Sequence, residues 1–187
     1  MRAMVSSPYT RTAIAFHWIL AILIIANLAF GLYTVNLPLS PQKLKLFSYH
    51  KWVGVTVLLL AAARLLWRAT HAVPPLPQTM KPWERKAAHA AHIALYALFF
   101  AAPITGWLFS SAAGFQTVYL GVLPIPDLLS KNKELADILR LMHRSINYTM
   151  AAVIVLHAAA ALKHHFVDRD DVLIRMLPFL RKTTSKA

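Results

Sequence analysis

His143 and His157 sit fourteen residues apart on the last long apolar segment of this chain. On an α-helix that step is nearly four turns, so the second imidazole returns to within about 40° of the first, roughly 21 Å further along the axis. Imidazoles on one face of a membrane helix are expensive unless something ligates them. The cofactor that fits is a pair of haems stacked across the membrane, each taking one imidazole from this helix.

The elements that must hold such ligands follow from composition. The chain has 187 residues, 58% of them hydrophobic and 14% charged, with a mean hydropathy of +0.51. A soluble domain of this size needs more polar surface, so the class is integral membrane protein. There is no cysteine, which excludes disulfides, thiolate zinc sites, iron–sulfur clusters and covalent haem attachment through CxxCH. Any haem is held by histidine or methionine. The net charge of +13 does not point to nucleic acid, because the basic residues flank apolar segments and form no patch interleaved with aromatics.

Four segments reach the roughly 20 residues needed to cross hydrocarbon as a helix. They run from about Arg11 to Tyr33, Phe47 to Trp67, Ala87 to Ser110 and Leu139 to Leu162. The expected fold is all-α, one domain over residues 1–187, an up-down-up-down four-helix membrane bundle. The first segment is too long for a signal-peptide core, carries His17 and Trp18, and has no small-residue cleavage site after it, so it is read as retained. Pro103 lacks an amide donor and is expected to kink the third helix. The fourth is expected to begin early, near Glu134.

Of the 20 lysines and arginines, thirteen fall on one side: Arg2 and Arg11, then Arg64 to Lys86, then Lys163 to Lys186. Seven fall on the other, which predicts cytoplasmic termini in the bacterial inner membrane. The proline-rich stretch Ala69–Pro82 reads as a stiff cytoplasmic connector. The outer loop from about Phe115 to Lys133, with Pro124 and Pro126, is expected to hold a short surface helix. The tail DRDDVLIRMLPFLRK looks amphipathic and is expected to lie on the inner surface.

Depth then sorts the histidines. The second and fourth segments start on the outer side, which puts His50 and His143 at the outer end. His17 lies six residues past Arg11 and His157 six before Lys163, each about 9 Å inside the inner boundary. Two layers result, His50 with His143 outside and His17 with His157 inside. The fourteen-residue step also leads from His17 to Gly31, from His50 to Arg64 and from His92 to Gly106. Glycines there, with Gly54 and Ala158–Ala161, would make room for a flat macrocycle, or would simply tighten helix packing. By spacing alone His92 is a further inner-layer candidate in place of His17 or His157. His89 reads as interfacial, His164 and His165 as surface residues, and His71 as loop.

FHW near the start, HKWVG opening the second segment and AARLLWR before the proline-rich loop carry a resemblance, as do AHAAHIALY and LHAAAALKHHF followed by DDVLIRMLP. Over nearly its whole length the chain resembles the bacterial cytochrome b561 family, most closely the small stand-alone di-haem type that acts as a superoxide oxidase. The resemblance implies two b-type haems and the ligand set His17, His50, His143 and His157, and it leaves His92 beside the haem or on the quinone side.

Bis-histidine iron has no open position, so electron transfer is the expected role. The resemblance implies superoxide oxidation at the periplasmic face and ubiquinone as electron acceptor, a superoxide:ubiquinone oxidoreductase. The basic outer rim could steer a small anion. Lys51 and Arg144, next to the outer histidines, are the candidates for that role, or for pairing haem propionates. Arg11, Arg64, His89, His92 and Tyr96 surround the inner layer and could serve propionates or a quinone. A second reading is a relay subunit that links the quinone pool to a periplasmic redox protein. A third is a haem-free bundle whose histidines relay protons. In every reading membrane lipid is a partner and nucleic acid is not.

Overall fold

The computed structural model describes residues 9–177. Four long helices dominate it: α1 Arg11–Val35, α2 Pro41–Thr70, α3 Pro82–Ala112 and α4 Lys133–Lys163. Each has an apolar window of mean hydropathy between 1.5 and 2.3 and is long enough to cross a membrane. At 1.5 Å per residue, 25 to 31 residues reach about 37 to 46 Å, more than the roughly 30 Å of hydrocarbon. The protein is a four-helix membrane bundle.

Local chemistry sets the helix starts. The Thr10 hydroxyl accepts from the amide of Ala13, and Ser40, just before Pro41, accepts from that of Lys43. Asn132 accepts from the amide of Leu135 at the start of α4. At α3, Pro82 fills the first turn, and the Glu84 carboxylate accepts from the amide of Lys81 at 3.0 Å. These are standard ways of meeting amides that have no helical partner. The helix α3 runs through Pro103 without ending, and α4 begins one residue before Glu134.

Packing follows chain order, α1 on α2, α2 on α3 and, most extensively, α3 on α4, while α1 and α4 barely touch. The core is Leu20, Ile24, Val57, Ala61, Ala102 and Met150. Large apolar side chains point outward from every long helix, among them Ile22, Leu59, Ile93 and Val155, as lipid requires.

Two expectations need correction. The loop after α3 forms no helix but an antiparallel hairpin, β1 Thr117–Tyr119 with β2 Leu123–Ile125. Its strand-forming VYLGVL cannot continue as helix into Pro124 and Pro126. His164 is no surface residue. It is 6% exposed, in a π-helical turn, His164–Asp168, that brings its Nδ1 to Asp170 at 2.7 Å and Asp168 at 3.0 Å.

The tail is tied down at its start. Its short helix α5, Val172–Met176, is pinned to the bundle. Trp18 Nε1 donates to the Met176 carbonyl at 2.8 Å, and buried Arg175 donates to the Pro75 carbonyl and pairs with Asp171. The tail beyond Leu177, with Arg181, Lys182 and Lys186, lies outside the described residues, as does Arg2.

Two substitutions test this core. Leu20 is fully buried, and Leu20→Ala is expected to cost about 1 to 3 kcal/mol, the cavity part of the usual penalty, since lipid offers little transfer gain. Ala61 is equally buried, and Ala61→Leu should cost a similar amount, about 1 to 3 kcal/mol, by overpacking. Reversible unfolding of the detergent-solubilised variants would measure both.

Candidate functional site

The histidines of α4 each meet a ring from another helix. His143 faces His50 of α2 with ring centres 6.3 Å apart. His157 faces His17 of α1 at 6.2 Å. The two layers read from depth are therefore two ring pairs, both anchored on α4.

The separations bear on what could lie between. Two metal–nitrogen bonds of about 2.0 Å, extended to the centres of two five-membered rings, give about 6.3 Å between imidazoles on opposite faces of one iron. Both pairs match that span. His92 also approaches His157, but at 5.4 Å and edge-on, which is too close for two trans ligands. On this span His17 fits opposite His157 better than His92 does.

Glycines opposite the rings carry the second part of the fit. A Cβ at Gly31 would come within 2.8 Å of His50 Cε1, and one at Gly106 within 3.0 Å of His143 Cε1. A side chain at Gly31 would force the His50 ring to move and one at Gly106 would crowd His143, so these helices approach the imidazoles with bare backbone. At Gly54 a Cβ would meet nothing within 4 Å, so that glycine tightens no helix contact.

Hydrogen bonds orient His143. Its Nδ1 donates to the Ala102 carbonyl at 2.9 Å, with the Thr105 hydroxyl 3.3 Å away. Thr105 itself donates to the Ala101 and Ala102 carbonyls. With Nδ1 as donor, Nε2 carries the lone pair a metal needs. Asn147, one turn on, donates to the His143 carbonyl at 2.7 Å and lies 3.2 Å from Nε2. Spacing could have found Asn147, four residues along the same face. Thr105 and the Ala102 carbonyl depend on cross-helix register and gave no sequence signal. On α2, Asn27 donates to the His50 carbonyl at 3.3 Å, and His50 Nδ1 is buried with no hydrogen-bond partner among the described residues.

The His17 end is cationic and aromatic. Arg64 lies half-buried with Nη2 3.4 Å from His17 Nδ1 and its guanidinium 5.6 Å from the centre of the Tyr96 ring. Arg68 covers the same ring at 5.8 Å. The Tyr96 hydroxyl and Trp67 Nε1 are buried with no hydrogen-bond partner among the described residues. Tyr9, Arg64, Trp67, Arg68, Tyr96 and Met176 line one cavity there, in which burial pushes the Tyr9 phenol above its ordinary pKa and keeps it a donor. Arg11 and His89 are exposed and stand apart from that cavity. Sequence reasoning did not single out Tyr9 or Trp67.

At the His50 end, Lys51 Nζ is held by the Ser110 hydroxyl and the Phe115 and Gln116 carbonyls, each at 3.2 Å. Arg144 is exposed and rests 5.5 Å from the centre of the Tyr148 ring. Of the remaining basic rim, Lys133 and Arg140 both pair with Asp137.

Known proteins agree on the class. The family model for prokaryotic cytochrome b561 matches residues 8–179. Cytochrome b561 homolog 2 of Escherichia coli K12 is 38% identical over 165 residues, 87% of each chain. The probable superoxide oxidase CybB of Yersinia pestis is 31% identical over 180 residues, covering 91% of this chain and 96% of its own. Cytochrome b561 homolog 1 of Escherichia coli K12 is 28% identical over 171 residues, 91% and 97% of the two chains. The family implies haem b.

The glycine contacts generate a prediction. Gly31→Val and Gly106→Val must push the His50 and His143 rings aside, so each variant is expected to lose haem b. The pyridine haemochrome assay per mole of folded chain measures it. Full haem content in both variants would mean that these rings hold no iron.

Proposed function

The chain belongs to the prokaryotic cytochrome b561 family, and from that premise we propose that it is a di-haem superoxide:ubiquinone oxidoreductase. Family membership makes it a haem b electron-transfer protein of the bacterial membrane. The finer reading is that superoxide is oxidised to dioxygen at the periplasmic face of the inner membrane and ubiquinone is reduced. Two superoxide anions give one electron each, and with two protons they convert one quinone to quinol.

The observation that carries this reading is the pair of ring pairs, His50 with His143 and His17 with His157, at 6.3 and 6.2 Å. When bound, a bis-histidine haem at each pair supplies a one-electron centre with no open iron position. In this reading His143 is fixed as a ligand by the Ala102 carbonyl, and Gly31 and Gly106 give the outer rings their clearance. The excess of lysine and arginine on the side of the termini supports cytoplasmic ends and a periplasmic His50 end. Arg144, exposed beside His143, attracts the superoxide anion, while Lys51 adds a half-buried positive charge beside His50. At the other end, Tyr96 and Trp67 offer unspent donors beside Arg64 for the carbonyl oxygens of a quinone. The name of the Yersinia pestis relative supports superoxide as the substrate.

Rapid mixing of the oxidised, haem-loaded protein with superoxide tests the reaction. Fast appearance of the reduced haem bands, reversed by adding ubiquinone, is expected. Bands that ignore superoxide would leave the relay role with a periplasmic redox partner.

Two sets of variants divide the parts. His143→Ala and His157→Ala should each lower haem content from two per chain to about one, with loss of different spectral components. Arg144→Glu should slow reduction by superoxide about three- to tenfold at low salt and less at high salt. An unchanged rate would remove Arg144 from the steering role.

A further inference from the structure

We propose that the β1–β2 hairpin is no surface loop but is inserted into the lipid leaflet at the His50 end, its tip buried among acyl chains against the flank of α2. The first support is its path. Just after α3, the Phe115 and Gln116 carbonyls lie on Lys51. Next, the Val118 carbonyl accepts from Trp52 Nε1 at 2.6 Å. Then the Tyr119 hydroxyl meets Thr56 Oγ1 at 2.9 Å. The contacts step along α2 from Lys51 through Trp52 to Thr56, the last reached by the tyrosine side chain, while the tip packs beside Trp52. Thr56 lies five residues past Lys51, the last charged residue before the apolar run of α2, about 7 Å of helix rise. Half the hydrocarbon is about 15 Å thick, so the tyrosine hydroxyl is anchored about halfway into one leaflet.

Composition agrees with that depth. No charged residue occurs from Ala87 to Pro126, so the uncharged run of α3 continues unbroken through the whole hairpin. The tip exposes Leu120 at 57%, Val122 at 81% and Leu123 at 58%. In water these side chains would form an apolar projection with nothing to cover it, whereas beside a membrane helix they continue its lipid face.

Backbone polarity is the usual objection to a strand in lipid, and here it is largely met. Besides the ladder between the strands, the indoles of Trp52 and Trp107 donate to the Val118 and Pro126 carbonyls, the latter at 3.1 Å. Pro124 and Pro126 carry no amide N–H to leave unmet. The turn is closed by bonds from Gly121 to Val118 and from Val122 to Tyr119, with Leu120 and Gly121 at φ +53° and +77°. A side chain at Gly121 would add bulk 3.8 Å from the Trp52 ring, where the tip lies flat against α2.

The chain has no cysteine, so single-cysteine variants report one position each. Val122→Cys would carry a nitroxide label in the full-length, haem-loaded protein reconstituted into phosphatidylcholine vesicles. Leu123→Cys serves as a second tip site should the first disturb folding. Leu59→Cys on the lipid face of α2 and Leu39→Cys in the α1–α2 loop, 59% and 84% exposed, give the lipid and water references. Power saturation with oxygen and with a water-soluble nickel chelate reads the surroundings. Insertion predicts an oxygen-to-nickel accessibility ratio at the tip close to that of Leu59 and several-fold above that of Leu39. A ratio like that of Leu39 would return the hairpin to water and overturn the proposal. Protection from both reagents would overturn it too, by showing a protein surface, such as a second copy, over the tip.

Discussion

An imidazole inside hydrocarbon is tolerable only if its nitrogens are met, and this bundle holds six histidines on its membrane-crossing segments. Much of the rest of the architecture answers that constraint. One member of each facing pair is on α4, fourteen residues from the other, so the rise of a single helix sets the separation of the two levels. Opposite the upper level, glycines replace side chains where α1 and α3 pass the rings. A threonine and a carbonyl on α3 fix which nitrogen of His143 carries the proton. The loose seam between α1 and α4 keeps His17 a ring's span from His157 instead of packed against it.

The two levels are held in different ways. Around His50 and His143 the polar partners are neutral: amides, a hydroxyl and carbonyls. Around His17 and His157 they are guanidinium groups and aromatic rings.

What was legible in the sequence was governed by helix periodicity. Four spans, the rings that share a level and the glycines fourteen residues from a histidine all follow from one rise per residue and the charges that mark the boundaries. Spacing alone leaves His17 and His92 open because both lie at one depth, and the family resemblance favours His17. The hairpin escaped because its strands are three residues each, too short for an alternating pattern to announce them. His164 escaped for another reason: Asp168 and Asp170 are near in sequence, but only a π-type turn folds them onto its ring. Its burial belongs to a polar knot that no periodicity announces, in which Lys163 joins Glu84 of α3 to Asp168 and the last short helix ties down Trp18 and Pro75.

The position of α4 has a consequence for how the protein is made. It is the last long helix to leave the ribosome, and both ring pairs take a member from it. His17 and His50 are in place early, yet each waits for a partner more than ninety residues downstream. Neither level can therefore be completed while the first three helices stand alone in the bilayer. Under the proposed ligation both centres would mature in one late event, and a chain stalled before α4 would hold neither.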